Sequence, residues 1–266
     1  MNLVWRKARG DARAHARRLS LIGLVLFISA VAATAMWSAR QVLVREIAAG
    51  FAQAQVPDLA LWPETLNEPD RARLLAQSNV AAVEARRSFI TRFRAADGTW
   101  LPARVRVQED FANQALGRIH LHGADWPADP ATVLVEQSGL GLLGATVQEL
   151  TVRSPDGRLV SVPIGALVHD PAVAPSTQER MLYVYATPEG ARRLGQRAEP
   201  DRLEVRLASR GGYAAVAAER ERLSALLTGT GTKVLRSEVL AATHPHALLM
   251  NAMLSVLTVL AVLAAL

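Results

Sequence analysis

From Leu19 to Trp37 no position is charged, with Arg17 and Arg18 before the run and Arg40 soon after it. At about 1.5 Å of rise per residue, a helix over this stretch spans roughly a hydrocarbon core, about 30 Å thick. Lipid offers no partner for backbone N–H and C=O groups, so the pattern predicts a transmembrane helix over 19–37. Ser20, Ser29 and Thr34 are tolerated there because their hydroxyls bond back to the preceding turn. A cleaved secretory signal is the rival. The run exceeds the usual apolar region of a signal, its basic lead is eighteen residues long, and helical patterning continues past Trp37, so an uncleaved anchor is expected. A second run without Asp, Glu, Lys or Arg extends from Val239 to Leu266, and within it 247–266 is apolar apart from Asn251, Ser255 and Thr258. It predicts a second transmembrane helix over 246–266, where the chain ends.

Between the runs the pattern changes several times. Over 38–55 the apolar positions Val42, Leu43, Ile47 and Phe51 keep a helical spacing, which predicts a stalk that stops at Val56 and Pro57. Asp58–Trp62 reads as a strand, and Glu68–Gln77 as a short helix with Pro69 near its start. From Val80 the period becomes two. Asp97-Gly98 and Asp156-Gly157 each divide two alternating stretches and predict tight hairpins. Arg118–His122, Thr132–Glu136 and Tyr183–Ala186 read as strands, Gln137–Leu143 as a short helix closed by Gly144, and a helix is expected from Thr187 with Pro188 first. Arg202–Ala208, Gly212–Leu227 and Thr232–Ser237 predict a closing β-α-β unit. The fold class is therefore an α+β extracytoplasmic domain, hairpins plus a β-α-β unit, over 56–245 between two transmembrane α-helices. Residues 1–18 set Leu3, Val4, Ala8, Ala12 and Ala16 among Trp5 and the six basic residues Arg6, Lys7, Arg9, Arg13, Arg17 and Arg18, a pattern suited to a helix along inner headgroups; the plainer reading is a basic flank that only orients the first span.

Charge orients this plan. The chain of 266 residues has a net charge of +6. Residues 1–37 hold six Lys/Arg against Asp11, so +5 of the surplus precedes or lies within the first span and +1 remains for the rest. The positive-inside rule then places the N-terminus in the cytoplasm and residues of about 40–245 outside, and no nucleic-acid partner is needed to explain the charge. The chain has no cysteine. Thiolate metal sites and cysteine nucleophiles are excluded, and an outer domain of this length is stabilised by core burial.

Candidate chemistry is sparse. His120 and His122, two apart in an expected strand, would share a face and could present two imidazoles to a metal, but His169-Asp170 and His244-Pro-His246 lie far off in sequence, and ordinary surface histidines are the simpler reading. Ser138-Gly-Leu-Gly141 lacks the Lys of a phosphate loop and the G-x-S-x-G of a nucleophile elbow. Carboxylates stand mostly beside arginines and read as paired surface charge. No catalytic, cofactor-binding or metal-binding residue is expected. Asn251 is suited either to a hydrogen bond with another helix or to snorkelling at the membrane face, and the small residues Gly23, Ser29, Ala30, Ala33, Ala252 and Ala261 are suited to close helix packing in lipid.

The ordered set formed by the basic lead into 19–37, the stretch Val147–Val168 running into His169-Asp170-Pro171, Tyr183-Val-Tyr-Ala-Thr-Pro-Glu, and His244-Pro-His-Ala before the second span resembles the first portion of FtsX-like, MacB-type permease subunits of bacterial ABC transporters, over the whole chain. The resemblance implies a MacB-like periplasmic core over 56–245 and a bacterial inner-membrane location. It implies a permease subunit, or the N-terminal fragment of one, that couples ATP hydrolysis by a separate ATPase to movements of the outer domain for export or substrate extraction. The implied partners are an ABC ATPase subunit, membrane lipid, a second permease copy or permease half, and a periplasmic partner protein, with no cofactor and no enzymatic activity in this chain. Family members continue with further spans, so with a stop at Leu266 additional helices are expected from downstream sequence or a partner chain. The competing class is a two-span, membrane-anchored ligand-sensing ectodomain.

Overall fold

The computed structural model describes residues 10, 13–123, 125–144, 147–240 and 247–263. It divides into two units, Met1–Ala48 with His246–Leu266, and Ala49–Pro245. In the first unit, helix α1 starts at Ala16 and runs to Gln53, its last turn belonging to the second unit. The expected span 19–37 falls inside it. Its apolar side chains face outward on every side, Phe27 being 67% exposed, as expected of a helix solvated by lipid. Thr34 donates to the carbonyl of Ala30 at 2.8 Å, which satisfies its hydroxyl within the helix. By length and composition α1 can cross a membrane. A helix over Ala247–Leu263 occupies most of the second expected span. The rest of that span, His244 and His246, and most of the basic lead (1–9, 11 and 12) lie outside the described residues.

The second unit has two lobes that share one strand. In the smaller, β1 (Leu59–Pro63) leads to helix α2 (Glu68–Leu75), whose cap Asn67 accepts from the amide of Asp70 at 2.8 Å and whose first turn holds Pro69. The chain enters the long strand β2 (Val80–Arg94) and, after the larger lobe, returns through β9 (Arg202–Leu207), helix α6 (Tyr213–Gly229) and β10 (Val234–Val239). Strand β1 is antiparallel to both β10 and β9, and β9 is antiparallel to the first half of β2. The order β10-β1-β9-β2 therefore interleaves two split β-α-β units, the ferredoxin-like arrangement. Leu59, Leu61, Val83, Leu203 and Val205 alternate toward the helices and form one core with Leu74, Val216, Leu223 and Leu227.

The larger lobe comprises the second half of β2 with β3 (Trp100–Val107), β4 (His120–Leu121), β5 (Val133–Glu136), β6 (Glu149–Arg153), β7 (Leu159–His169) and β8 (Leu182–Ala186). Pairings run β2-β3-β8-β5-β7, and β6 pairs with both β7 and β2, so six strands close into a barrel. Phe93, Leu101, Ala103, Val105, Val133, Val135, Leu150, Val152, Val162 and Val184 fill its interior. A second cluster, with Phe111, Ile119, Leu134, Val168, Tyr183 and Tyr185, packs the crossing segment around 108–127 on part of the outer wall.

Several expectations need adjustment. The Asp-Gly dipeptides do not sit in two-residue turns. Ala95 donates to Thr99 O and Gly98 to Ala95 O, Gly98 at φ +87°; Ser154, Arg158 and Gly157 (φ +85°) repeat the arrangement. These are three-residue loops in which a type I turn is followed by a left-handed glycine, which explains why Asp precedes Gly without both residues being left-handed. The expected strand Arg118–His122 shrinks to His120–Leu121, although the amide of His122 still donates to the carbonyl of Leu167 on β7 at 2.9 Å. Helix Ser176–Glu179 was not expected; four residues are too few to show a period.

Candidate functional site

A heavily constrained place in the second unit is where the end of α1, the smaller lobe and the barrel meet. On the face of β2 and β9 that turns away from α2 and α6, opposite charges alternate: Glu84 and Arg86 on β2, Arg202 and Glu204 on β9, with Glu84 facing Glu204 and Arg86 facing Arg202 across the ladder. Two carboxylates facing each other would repel, but Arg86 is only 1% exposed and bonds Glu84, with its Nε 3.6 Å from Glu204. Arg202 is 2.7 Å from Glu204 and donates to Ser88 Oγ at 3.0 Å. The segment 115–118 closes over this grid. Glu84 Oε1 accepts from the amides of Ala115 and Leu116 at 2.7 and 3.2 Å, and Arg86 donates to the carbonyl of Leu116.

Gly117 stands between two guanidiniums. A Cβ there would lie 3.0 Å from Arg86 Nη1 and 3.1 Å from Arg106 Nη1, and its φ is +52°, so conformation and space both call for glycine. The same segment holds the end of α1: the amides of Gly117 and Arg118 donate to the carbonyls of Gln55 and Ala54 at 3.1 and 2.6 Å. These are carbonyls that a helix terminus leaves without partners. Ala54 is fully buried, and Gly50 packs so close to Pro171 that a Cβ would come within 3.1 Å of it. Next to Pro171, Asp170 accepts from Tyr185 OH at 2.6 Å and from the amide of Ala172 at 2.8 Å, and lies 3.3 Å from Arg106. On the far side of the α1 terminus Asp58 bonds Arg210 and the amide of Leu207, while Arg206 donates to the carbonyl of Val56 at 3.1 Å.

Three arginines (86, 106, 202) and three carboxylates (84, 170, 204) make the junction neutral in sum. Burial pushes the Glu204 carboxyl up, but Arg86, Arg202 and Arg106 together outweigh it and hold the group below its ordinary value. Burial likewise works against the charge on Arg106, and Asp170, Tyr185, Glu204 and Glu84 overcome it. Burial first, then the neighbouring Asp170 charge, raises the Tyr185 phenol well above its usual value. Buried ion pairs of this kind add little net stability over apolar packing, but removing one partner is costly. They fix geometry, here of the α1 terminus relative to both lobes of the unit. The chemistry available is positional: these residues hold and orient backbone.

The sequence candidates fall elsewhere. His120 faces His169 across the β4–β7 pair, His122 lies beyond the strand, and His169 Nδ1 is 3.5 Å from Glu136 Oε1. Among the described residues no group of three or more His, Asp or Glu could hold a metal. Ser138 donates to Glu136 through both its hydroxyl and its amide, so that Glu136 caps the turn over 137–139, and Ser138 Oγ accepts from the amide of Ser176 at 2.7 Å. The carboxylates beside arginines are indeed paired, yet Glu204, Asp170 and Asp58 are buried, which corrects their reading as surface charge. The signal available was the opposite-charge i, i+2 pattern of Glu84/Arg86 and Arg202/Glu204 in strands; that both faces would be covered was not visible.

No protein-family model matches the chain, and no curated protein matches it. Among solved structures, the chain is similar to the periplasmic region of MacB from Actinobacillus actinomycetemcomitans, with 13% identity over 70% of this chain and 90% of that one at a TM-score of 0.42. It is also similar to the extracellular domain of the ABC-type transporter YknZ from Gram-positive bacteria, with 11% identity over 70% of this chain and 99% of that one at a TM-score of 0.42.

Proposed function

We propose that the chain is a membrane permease subunit of an ABC transporter, or the N-terminal portion of one, whose outer α+β unit is moved by a separate ATPase. The observation that carries this reading is α1: one unbroken helix begins in a charge-free apolar run and ends in the buried ionic junction that fixes its terminus to both lobes. A mechanical relay needs such a grip, because a displacement of a helix is transmitted only as far as its end is held. The basic lead supports a cytoplasmic N-terminus, the place where an ATPase docks, and the apolar helix Ala247–Leu263 supports a second crossing. Small residues such as Ala33 and Ala252 support packing with a second permease copy or permease half. In this reading nucleotide is bound by the partner, and the outer unit handles substrate or a periplasmic protein.

The chain has no cysteine, so a single Arg158→Cys, at a side chain 82% exposed on the second hairpin, gives a clean probe of topology. Labelling by a membrane-impermeant maleimide applied to cells with an intact inner membrane is expected. Labelling only after that membrane is lysed would overturn the topology and with it the permease reading.

A further inference from the structure

Beyond the junction, the same face of β2 carries arginines that have no carboxylate. Ile90, Arg92 and Arg94 follow at period two; on β3, Arg104 stands opposite Ile90 and Trp100 opposite Arg94. Arg153 on β6 follows the Phe93–Val152 pair, and its guanidinium lies 5.8 Å from the centre of the Trp100 ring. The alternate residues Phe93, Leu101, Ala103, Val105 and Val152 fill the barrel, so these side chains belong to its outer wall. All four arginines are exposed, and Ile90 is 60% exposed. Among the described residues none of the four forms an ion pair. Asp97 and Glu149 border the same hollow as Arg94 without pairing with it. Arg106, next along β3 on this face, shows the contrast: it is paired with Asp170 and lies over the Tyr185 ring at 5.7 Å.

We propose that this wall of the barrel is a docking surface for a carboxylate-rich face of a partner protein. None of the four stands opposite a carboxylate in the ladders, and apart from the contact of Arg153 with Trp100 the fold gives no account of their charge. Each guanidinium offers a bidentate fork to a carboxylate, and Trp100 and Ile90 supply the aromatic and apolar anchor that such interfaces place among their charges. Side chains on a sheet face stand about 7 Å apart along a strand and about 5 Å apart between strands, so the arginines form a grid that does not converge on one small anion. A grid matches carboxylates displayed on another protein. The inference locates a partner surface on the outer unit and stands on the sheet face alone, so it and the permease reading fail separately.

The test uses the full chain in a neutral detergent and a fluorescent poly-L-glutamate probe. The quadruple variant Arg92→Gln, Arg94→Gln, Arg104→Gln, Arg153→Gln is compared with Arg158→Gln, Arg192→Gln, Arg193→Gln, Arg197→Gln, which removes equal charge from exposed positions elsewhere. At physiological salt the first is expected to weaken binding about tenfold or more and the second less than about twofold. The single change Arg104→Gln is expected to lose about twofold, and Ile90→Ser, which alters no charge, about threefold. Equal losses in the two quadruple variants, or none in the first, would overturn the proposal. So would phosphatidylglycerol vesicles bound through these arginines in place of the probe.

Discussion

One face of strand β2 carries charge in each of its two halves, and the halves treat that charge in opposite ways. In the half shared with β9, Glu84 and Arg86 are covered by the segment 115–118 and bonded at nearly every polar atom, though Arg86 Nη1 has no partner among the described residues. In the half shared with β3, Arg92 and Arg94 lie in the open with no carboxylate. Spacing is alike in both; the covered half pairs Glu with Arg and the open half carries Arg alone, and cover and partners differ with it. A charged strand face is a structural clamp where another segment closes over it and a recognition surface where none does. The chain uses the clamp at the α1 terminus, and we assign the surface to a partner.

The largest break in this comparison is expected from Arg86→Ala. It leaves Glu84 and the Leu116 carbonyl without their cation and Glu204 with Arg202 as its remaining close partner, and thermal unfolding of the full chain in detergent should show a loss of about 3–5 kcal/mol. Next comes Gly117→Ala, where a left-handed φ and a crowded Cβ combine; about 1–2 kcal/mol is expected by the same measurement, with faster hydrogen exchange at the amides of Gly117 and Arg118, which hold α1. Acid and alkali sharpen the picture. Because Glu204 is held below its ordinary value of 4.5, its stabilisation is complete above that pH and drains away as pH falls through the lower folded value; Glu204→Gln should shallow the acid limb of a stability–pH curve. Tyr185 behaves in the reverse sense. Its folded value is raised above 10.0, so its contribution is complete below that pH and is lost as pH rises toward the folded value; Tyr185→Phe should flatten the alkaline limb. The smallest effect is expected at the open half: Arg92→Gln should change stability by no more than about 0.5 kcal/mol.

Local rules made much of this legible in the sequence. The charge-free run that became α1 needed only a count of residues, and Asp97-Gly98 and Asp156-Gly157 located both hairpins, because a turn is decided by its own residues. Closure of the barrel was not legible. It rests on Phe93 meeting Val152 and Arg94 meeting Thr151, a pairing between hairpins that no period or turn announces. The junction was hidden for the same reason. Glu84 and Arg86 two apart in a strand look like a surface pair until a segment thirty residues away in the chain is seen to cover them. Nor could alternation alone tell Arg106, which finds Asp170, from Arg104, which finds no carboxylate among the described residues.

The central claim is that a separate ATPase drives this chain through α1. It is tested most directly by placing a photo-crosslinking amino acid at Trp5 in the basic lead, irradiating membranes of the native host, and identifying what becomes joined to the purified chain. The account predicts a crosslinked ABC-type ATPase carrying a P-loop, whose yield falls when its own docking surface is altered. A chain that crosslinks only to lipid and purifies free of any P-loop ATPase would contradict it.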